Sequence, residues 1–241
     1  ANLLGDCGGF YRSPLGDGSG FITLLSMSLG GDELESSTIV SRPGAVYASA
    51  DALYIAVRQS SDSGYGWYDS MGGVEQASTI HKFALSSAPA KSSYAASGVV
   101  KGSVLNQFAM DEHEGHLRVA TTSGHVPDPD GHSTLTVLAE REHELITVGQ
   151  VDGIAPQEDI RSVRFSGDRG FVVTFKKTDP LFVFELSNPY APRVLAELKI
   201  PGFSTYMHMM DETHLLTIGY DADDQGDFAW FSGVMLQIFD V

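Results

Sequence analysis

DIRSVRFSGDRGFVVTFKKTDPLFVFELSNPYAPRVLAELKIPGFSTYMHMMDETHLLTIGY, residues 159–220, decides the fold of this chain. Residues 160–165 alternate apolar and polar side chains, and Ser166-Gly167-Asp168-Arg169-Gly170 is a run of turn formers. Residues 171–175 are aromatic and β-branched, types that suit a pleated surface. Asp179-Pro180 is expected to interrupt the chain, because proline has no N–H for a ladder and restricts its predecessor. Strands follow at 181–186 and 193–200, separated by Ser187-Asn188-Pro189 and closed by Pro201-Gly202. The cycle restarts with a strand at 203–209, a turn at Asp211-Glu212 and a strand at 214–219. No stretch is left for a helix, and strands joined by such short turns can only meander antiparallel.

The unit of four strands, called a to d, recurs. The last apolar residue of each strand c falls at Leu29, Leu85, Leu138, Leu186 and Val241, 48 to 56 residues apart. The a-turn-b text recurs as AVYASADALYIAV, LNQFAMDEHEGHLRVAT, SVRFSGDRGFVVTF and TYMHMMDETHLLTIG, with Asp51, Asp111, Asp168 and Asp211 expected in the turns. A four-strand repeat of this period is the signature of a β-propeller blade, so the fold class is all-β and propeller-like. A β-sandwich has turn signals at similar spacing and is the lesser alternative.

Asn188-Pro189-x-x-Pro192, followed by VLAELKIPG, resembles propeller repeats that carry a D-x-S-x-P-x-x-P turn and end strand d in Pro-Gly. More narrowly, RSVRFSGDRGFVVTFKKTDPLFVFELSNPYAPRVLAELKIPGFSTYMH is similar to an uncharacterised family of secreted bacterial and archaeal β-propeller domain proteins. The likeness extends weakly to FITLLSMSL and to the two upstream a-b stretches. Asn188 replaces the usual acidic residue of the turn, and 207–210 is unusually rich in methionine. The resemblance implies an extracytoplasmic or secreted location and carries over no catalytic residue.

Composition sets outer limits. At 241 residues, 42% hydrophobic and 10% aromatic, the chain reads as one globular β-domain. A net charge of −16, from 31 acidic and 15 basic residues, repels phosphate backbones and anionic membranes. No nucleic acid and no membrane insertion is therefore expected, and no run approaches the roughly 20 apolar residues of a spanning helix. Cys7 is the single cysteine, so no disulfide closes within the chain and its partner stays open. The first residues lack the basic and apolar regions of a signal peptide.

Taken in order, 1–20 reads as an irregular glycine-rich segment and 21–241 as the propeller domain. Within it lie a partial blade at 21–41, blades at 45–101, 105–151 and 160–200, and a partial blade at 203–241. Starting and stopping inside blades suggests part of a larger propeller, with an edge left unpaired or covered by self-association with another copy. The b–c loops at 59–77, 126–131 and 220–233 are long and fall at equivalent places, so one face is decorated.

The candidate sites sit on that face and along strand a, which lines a propeller's central channel. Channel-lining candidates are Tyr47, Asn106, Gln107, Arg161, Arg164 and His208, half of which alternation should turn inward. Loop-face candidates are Tyr65, Trp67 and Tyr68. Asp221, Asp223 and Asp227 resemble the opening of a calcium loop, but Gln225 and Ser232 stand where ligands belong, so at most weak calcium binding is expected. His125, Asp128, Asp130 and His132 offer metal-ligand types but read better as a turn, as does His113-Glu114-Gly115-His116. No nucleophile elbow, phosphate loop or cysteine–histidine pair is present. These readings favour a binding or scaffold module for a protein, peptide or glycan. The alternative is a cation-assisted hydrolase or lyase at the channel mouth.

Overall fold

The computed structural model describes residues 10–12, 20–31, 34–60, 76–87, 90–125, 128–175, 179–200, 202–224 and 229–241. Among these, regular structure is β-strand apart from one 3-10 turn at Gln107–Ala109. The chain divides into two compact units, residues 1–101 with 140–146, and residues 102–139 with 147–241.

In the first unit, β1 (Phe10–Tyr11), β2 (Phe21–Met27) and β3 (Leu34–Val40) form a sheet in the order β1-β3-β2. The segment 1–20, read as irregular, therefore contributes a strand. Phe10 and Tyr11 pair in parallel with Thr38 and Ile39, closing an edge that β2 leaves open. The antiparallel meander β4 (Ala45–Ala48), β5 (Ala52–Ser60), β6 (Gln76–Ser87) and β7 (Ala90–Lys101) is as expected. Ile39, Ile55, Val57 and Phe83 make the buried core, with Tyr11 stacked on Tyr94 at 5.4 Å.

In the second unit, β8 (Ser103–Val104) and β9 (Met110–His113) both pair with β10 (His116–Ser123), followed by β11 (His132–Arg141) and β12 (Glu144–Ile154). The tip of the β11–β12 hairpin belongs to the first unit. There Glu144 forms one parallel bridge with Ser97, and Lys82 meets Glu140 at 2.9 Å. The next sheet is β13 (Asp159–Ser166), β14 (Arg169–Phe175), β15 (Asp179–Glu185) and β16 (Arg193–Ile200). The last is β17 (Phe203–Met209), β18 (His214–Asp224) and β19 (Ala229–Asp240).

The period-2 pattern of the opening stretch becomes packing on both faces of one sheet. Val172, Phe182 and Phe184 join the core shared with Ala120, Leu135 and Val137 of the preceding sheet. Their neighbours Phe171, Val173, Leu181 and Val183 point the other way and bury against Met207 and Leu215 of the following sheet. Burial on both faces is why these strands are nearly continuous apolar runs.

The a–b turns are tied to strand c by a recurring backbone bond. Leu85 N donates to Asp51 O, Leu186 N to Asp168 O and Val241 N to Thr213 O, each at 2.8 Å. In the second repeat the register pairs Ala139 with His116, so the equivalent residue is Glu140 and not Leu138. Three other expectations give way. Asn106 caps the 3-10 turn by accepting from Phe108 N at 3.0 Å, so strand a begins only at Met110 and Asp111 lies on a strand. Asp179 and Pro180 open β15 instead of breaking the chain. Pro180 pairs only toward β16, because the β14 ladder stops at Leu181, where a missing N–H costs nothing. The b–c loop at 220–233 is mostly hairpin, since β18 runs on to Asp224 and β19 begins at Ala229.

The β17–β18 turn shows the local chemistry most clearly. Asp211 Oδ1 accepts from Thr213 N at 2.9 Å and His214 N at 2.8 Å, and its carboxyl meets His214 Nδ1. The Thr213 N–H, then the His214 side chain, lower its pKa to about 2. Because the folded value is depressed, the stabilisation is present above the unfolded carboxylate pKa near 3.9 and is lost as pH falls toward 2. A carboxyl carbon titration by NMR is expected to find Asp211 ionising near pH 2. A midpoint near the ordinary carboxylate value would remove the turn from the account.

Candidate functional site

The first segments of successive sheets in the second unit lie side by side, which gathers residues distant in sequence. Ser162 Oγ donates to Ser204 O at 2.7 Å, and Arg164 Nε donates to Met207 O at 2.8 Å. The Arg164 guanidinium lies 4.6 Å over the Phe108 ring and 5.4 Å from the Tyr206 ring centre. Phe108 and Tyr206 meet edge to face at 6.0 Å, and His208 stacks on Tyr206 at 6.4 Å. A cation–aromatic row thus runs from the capped turn across β13 to β17.

Three of the channel-lining candidates, Asn106, Arg164 and His208, belong to this row or its rim. Gln107 is exposed in the 3-10 turn, and Arg161 is the bulged residue of β13, 5.6 Å over Phe175. Tyr47 is on β4 in the first unit and stacks on Tyr54 at 6.1 Å. Phe108 and Tyr206 were not among the sequence candidates. Alternation gives them no signal, since aromatic side chains on strands read first as core, yet each is 37% exposed.

A larger concavity of about 450 Å³ opens where β13 begins and β16 ends. The β12–β13 connection forms one wall through Ile154, Ala155 and Glu158; Phe182, Glu197 and Lys199 form the other. This connection is held in a left-handed conformation at Ala155 (φ 47°) and Gln157 (φ 67°), which L-residues adopt at a cost. It is tied down by Gln157 N donating to Gly131 O at 2.6 Å and Thr174 Oγ1 donating to Glu158 Oε2 at 2.5 Å. By strand direction this is the end from which the β10–β11, β14–β15 and β18–β19 loops emerge.

At the opposite end, Arg118 is buried against Asp111. Its Nε donates to Asp111 Oδ2 at 3.0 Å, Nη2 reaches the same oxygen, and Nη1 donates to Gly167 O at 2.5 Å. His113 stands 3.5 Å from Asp168, and the His116 ring bonds Glu114 O at 3.0 Å, so His113-Glu114-Gly115-His116 is the tip of a hairpin.

The remaining candidates separate. Tyr65, Trp67 and Tyr68 lie outside the described residues, as do Cys7, Asp227 and the Asp223 side chain. Asp221 is on β18, paired with Gly233. His125 Nδ1 pairs with Asp159 at 2.6 Å, and His132 Nε2 stands 3.3 Å from Asp152. Asp128 accepts from Asp130 N at 2.9 Å and the His132 ring meets Asp130 O at 2.7 Å, so 128–132 is a self-bonded turn, with His125 turned to Asp159. Among the described residues, no three histidine, cysteine or acidic side chains stand close enough to hold a metal ion. No described helix is long and apolar enough to cross a membrane.

The model of the beta propeller domain family matches residues 2–241. This chain belongs to that family. The propeller is 45% identical over 142 residues, 59% of its length, to an uncharacterised protein of Archaeoglobus fulgidus, and covers 20% of that protein. It is 44% identical over 136 residues, 56% of its length, to an uncharacterised protein of Methanocaldococcus jannaschii, and covers 22% of it. The propeller therefore spans about a fifth of the length of these curated relatives. Among solved structures, a Bacteroides uniformis protein provisionally named a 6-phosphogluconolactonase aligns with a TM-score of 0.47 and 13% identity. That alignment covers 81% of this propeller and 57% of the other chain.

Proposed function

We propose that this propeller is an extracytoplasmic binding module whose four-stranded blades present a partner site at the end where the b–c loops emerge. The observation that carries the reading is the concavity of about 450 Å³ beside β16. Among the described residues no strand pairs with the outer edge of β16, so its backbone groups there suit an added strand. Val194, Leu195 and Leu198 are exposed on it, and Asp152, Glu158 and Glu197 outnumber Lys199 around the cavity. An extended peptide with cationic side chains fits both features, and the secreted location rests on the sequence resemblance. Asp221 and Asp223 of β18, with Asp227, are proposed as a weak calcium site on composition alone.

Titration with a peptide of alternating lysine and valine, followed by amide NMR, tests this. The expected shifts fall on residues 194–199 and 152–158, and Glu197→Lys is expected to weaken binding roughly tenfold by placing like charges together. A neutral oligosaccharide that binds the same cleft more tightly than the peptide would replace the peptide with a glycan. Shifts confined to other surfaces would remove the cleft as the site.

A further inference from the structure

Arg164 is fixed in position and yet left with donors to spare. Its Nε–H is used by Met207 O, and its flat face is held by Phe108 and Tyr206. Among the described residues neither Nη1 nor Nη2 meets a carboxylate or a carbonyl. The guanidinium lines a small concavity with Asn106, Phe108, Ser162, Thr205 and Tyr206. Beside it, His208 stacks on Tyr206 and meets no acidic side chain that is described. Elsewhere the propeller pairs its buried cations, Arg118 with Asp111 and Lys82 with Glu140. In a chain of net charge −16, acidic partners are plentiful, so a guanidinium kept clear of them is a distinct arrangement.

We infer that this row is a binding site for the carboxylate of a sugar acid. A guanidinium presents two coplanar N–H donors that match the two oxygens of a carboxylate. With Nε and the ring faces already engaged, the side chain has little rotamer freedom left to lose on binding, so the site is preorganised. The exposed parts of Phe108 and Tyr206 flank the donors and suit the apolar face of a pyranose ring. Asn106 adds amide donors at the rim, since only its Oδ1 is engaged in capping the 3-10 turn. This site lies on the 3-10 turn, β13 and β17 and shares no lining residue with the peptide cleft.

The experiment is an NMR titration of the 241-residue chain at low salt with D-glucuronate, D-glucose and inorganic phosphate. Glucuronate is expected to shift the Arg164 Nε–H and the amides of residues 205–208; glucose, which lacks the carboxylate, is expected to leave them unmoved. Arg164→Lys retains the charge but loses the fork, and is expected to weaken glucuronate roughly tenfold or more. Asn106→Asp keeps the oxygen that caps the turn while setting a carboxylate against the guanidinium, and is expected to weaken binding to the same degree with the fold intact. The proposal is overturned if glucuronate moves none of these resonances, if phosphate moves them as strongly, or if binding survives both substitutions.

Discussion

Arg118→Met is expected to destabilise the propeller by about 3–5 kcal/mol, the range for removing one partner of a buried ion pair. The Arg118 side chain is 4% exposed and that of Asp111 is 26% exposed. Without the guanidinium, the partly buried Asp111 carboxyl loses both of its Arg118 donors, and Gly167 O loses its donor. The ring of Phe165, now 5.2 Å from the guanidinium, offers no substitute. For a domain of this size the loss corresponds to a melting temperature lower by roughly 6–20 °C. The double variant Arg118→Met with Asp111→Leu is expected to recover most of it, because both charges then leave together. Lys82→Met, at a more open pair, is expected to cost no more than about 1 kcal/mol. Denaturant unfolding that gave Arg118→Met the same small cost would show that the pair is solvated.

Gly202→Ala is expected to cost roughly 2–5 kcal/mol, combining backbone strain with overpacking. Gly202 has φ +72°, and a Cβ built there would lie 2.0 Å from Tyr220 O of the neighbouring strand. The preceding Pro-Gly places Gly44 in the same relation, 2.0 Å from Ala56 O, so the glycine that ends strand d lets strand a enter flat against strand b. Gly153 separates the two contributions: its φ is +70°, but nothing lies within 4 Å of its Cβ position. Gly153→Ala should therefore show the strain alone, about 1–2 kcal/mol. Equal losses at Gly202 and Gly153 would mean that strand b moves aside freely.

Much of the fold is legible because its signals are local. Residues 171–175 and 181–186 are apolar runs bounded by turn formers, and they become β14 and β15 within two residues at each end. The failures have one cause. LNQFAM occupies the place of strand a in the repeat, but Asn106 can cap a turn, and nothing within six residues says which conformation wins. Asp111 then reads as one more acidic turn residue, although the β9–β10 register places it opposite Arg118. Asp179-Pro180 reads as a break because the sequence does not show which edge of the strand is paired. Alternating apolar residues near Tyr220 and Val234 likewise continue as paired strands into what looks like an acidic loop.

By itself, then, the sequence determined that the chain is all-β, where most of its strands fall and that sequence neighbours pair antiparallel, whereas β1 and β8 carried no signal. Alternation and turn chemistry depend on residues a few positions apart. The tertiary structure alone decided which side chains meet. Arg164 reaches Met207 O across 43 positions, and Arg118 reaches Gly167 O across 49. Such contacts depend on the register within each sheet and on how neighbouring sheets face one another. A shift of one residue in pairing would turn Arg164 from the aromatic row into the core, and no local pattern in the sequence records which of the two the packing selects.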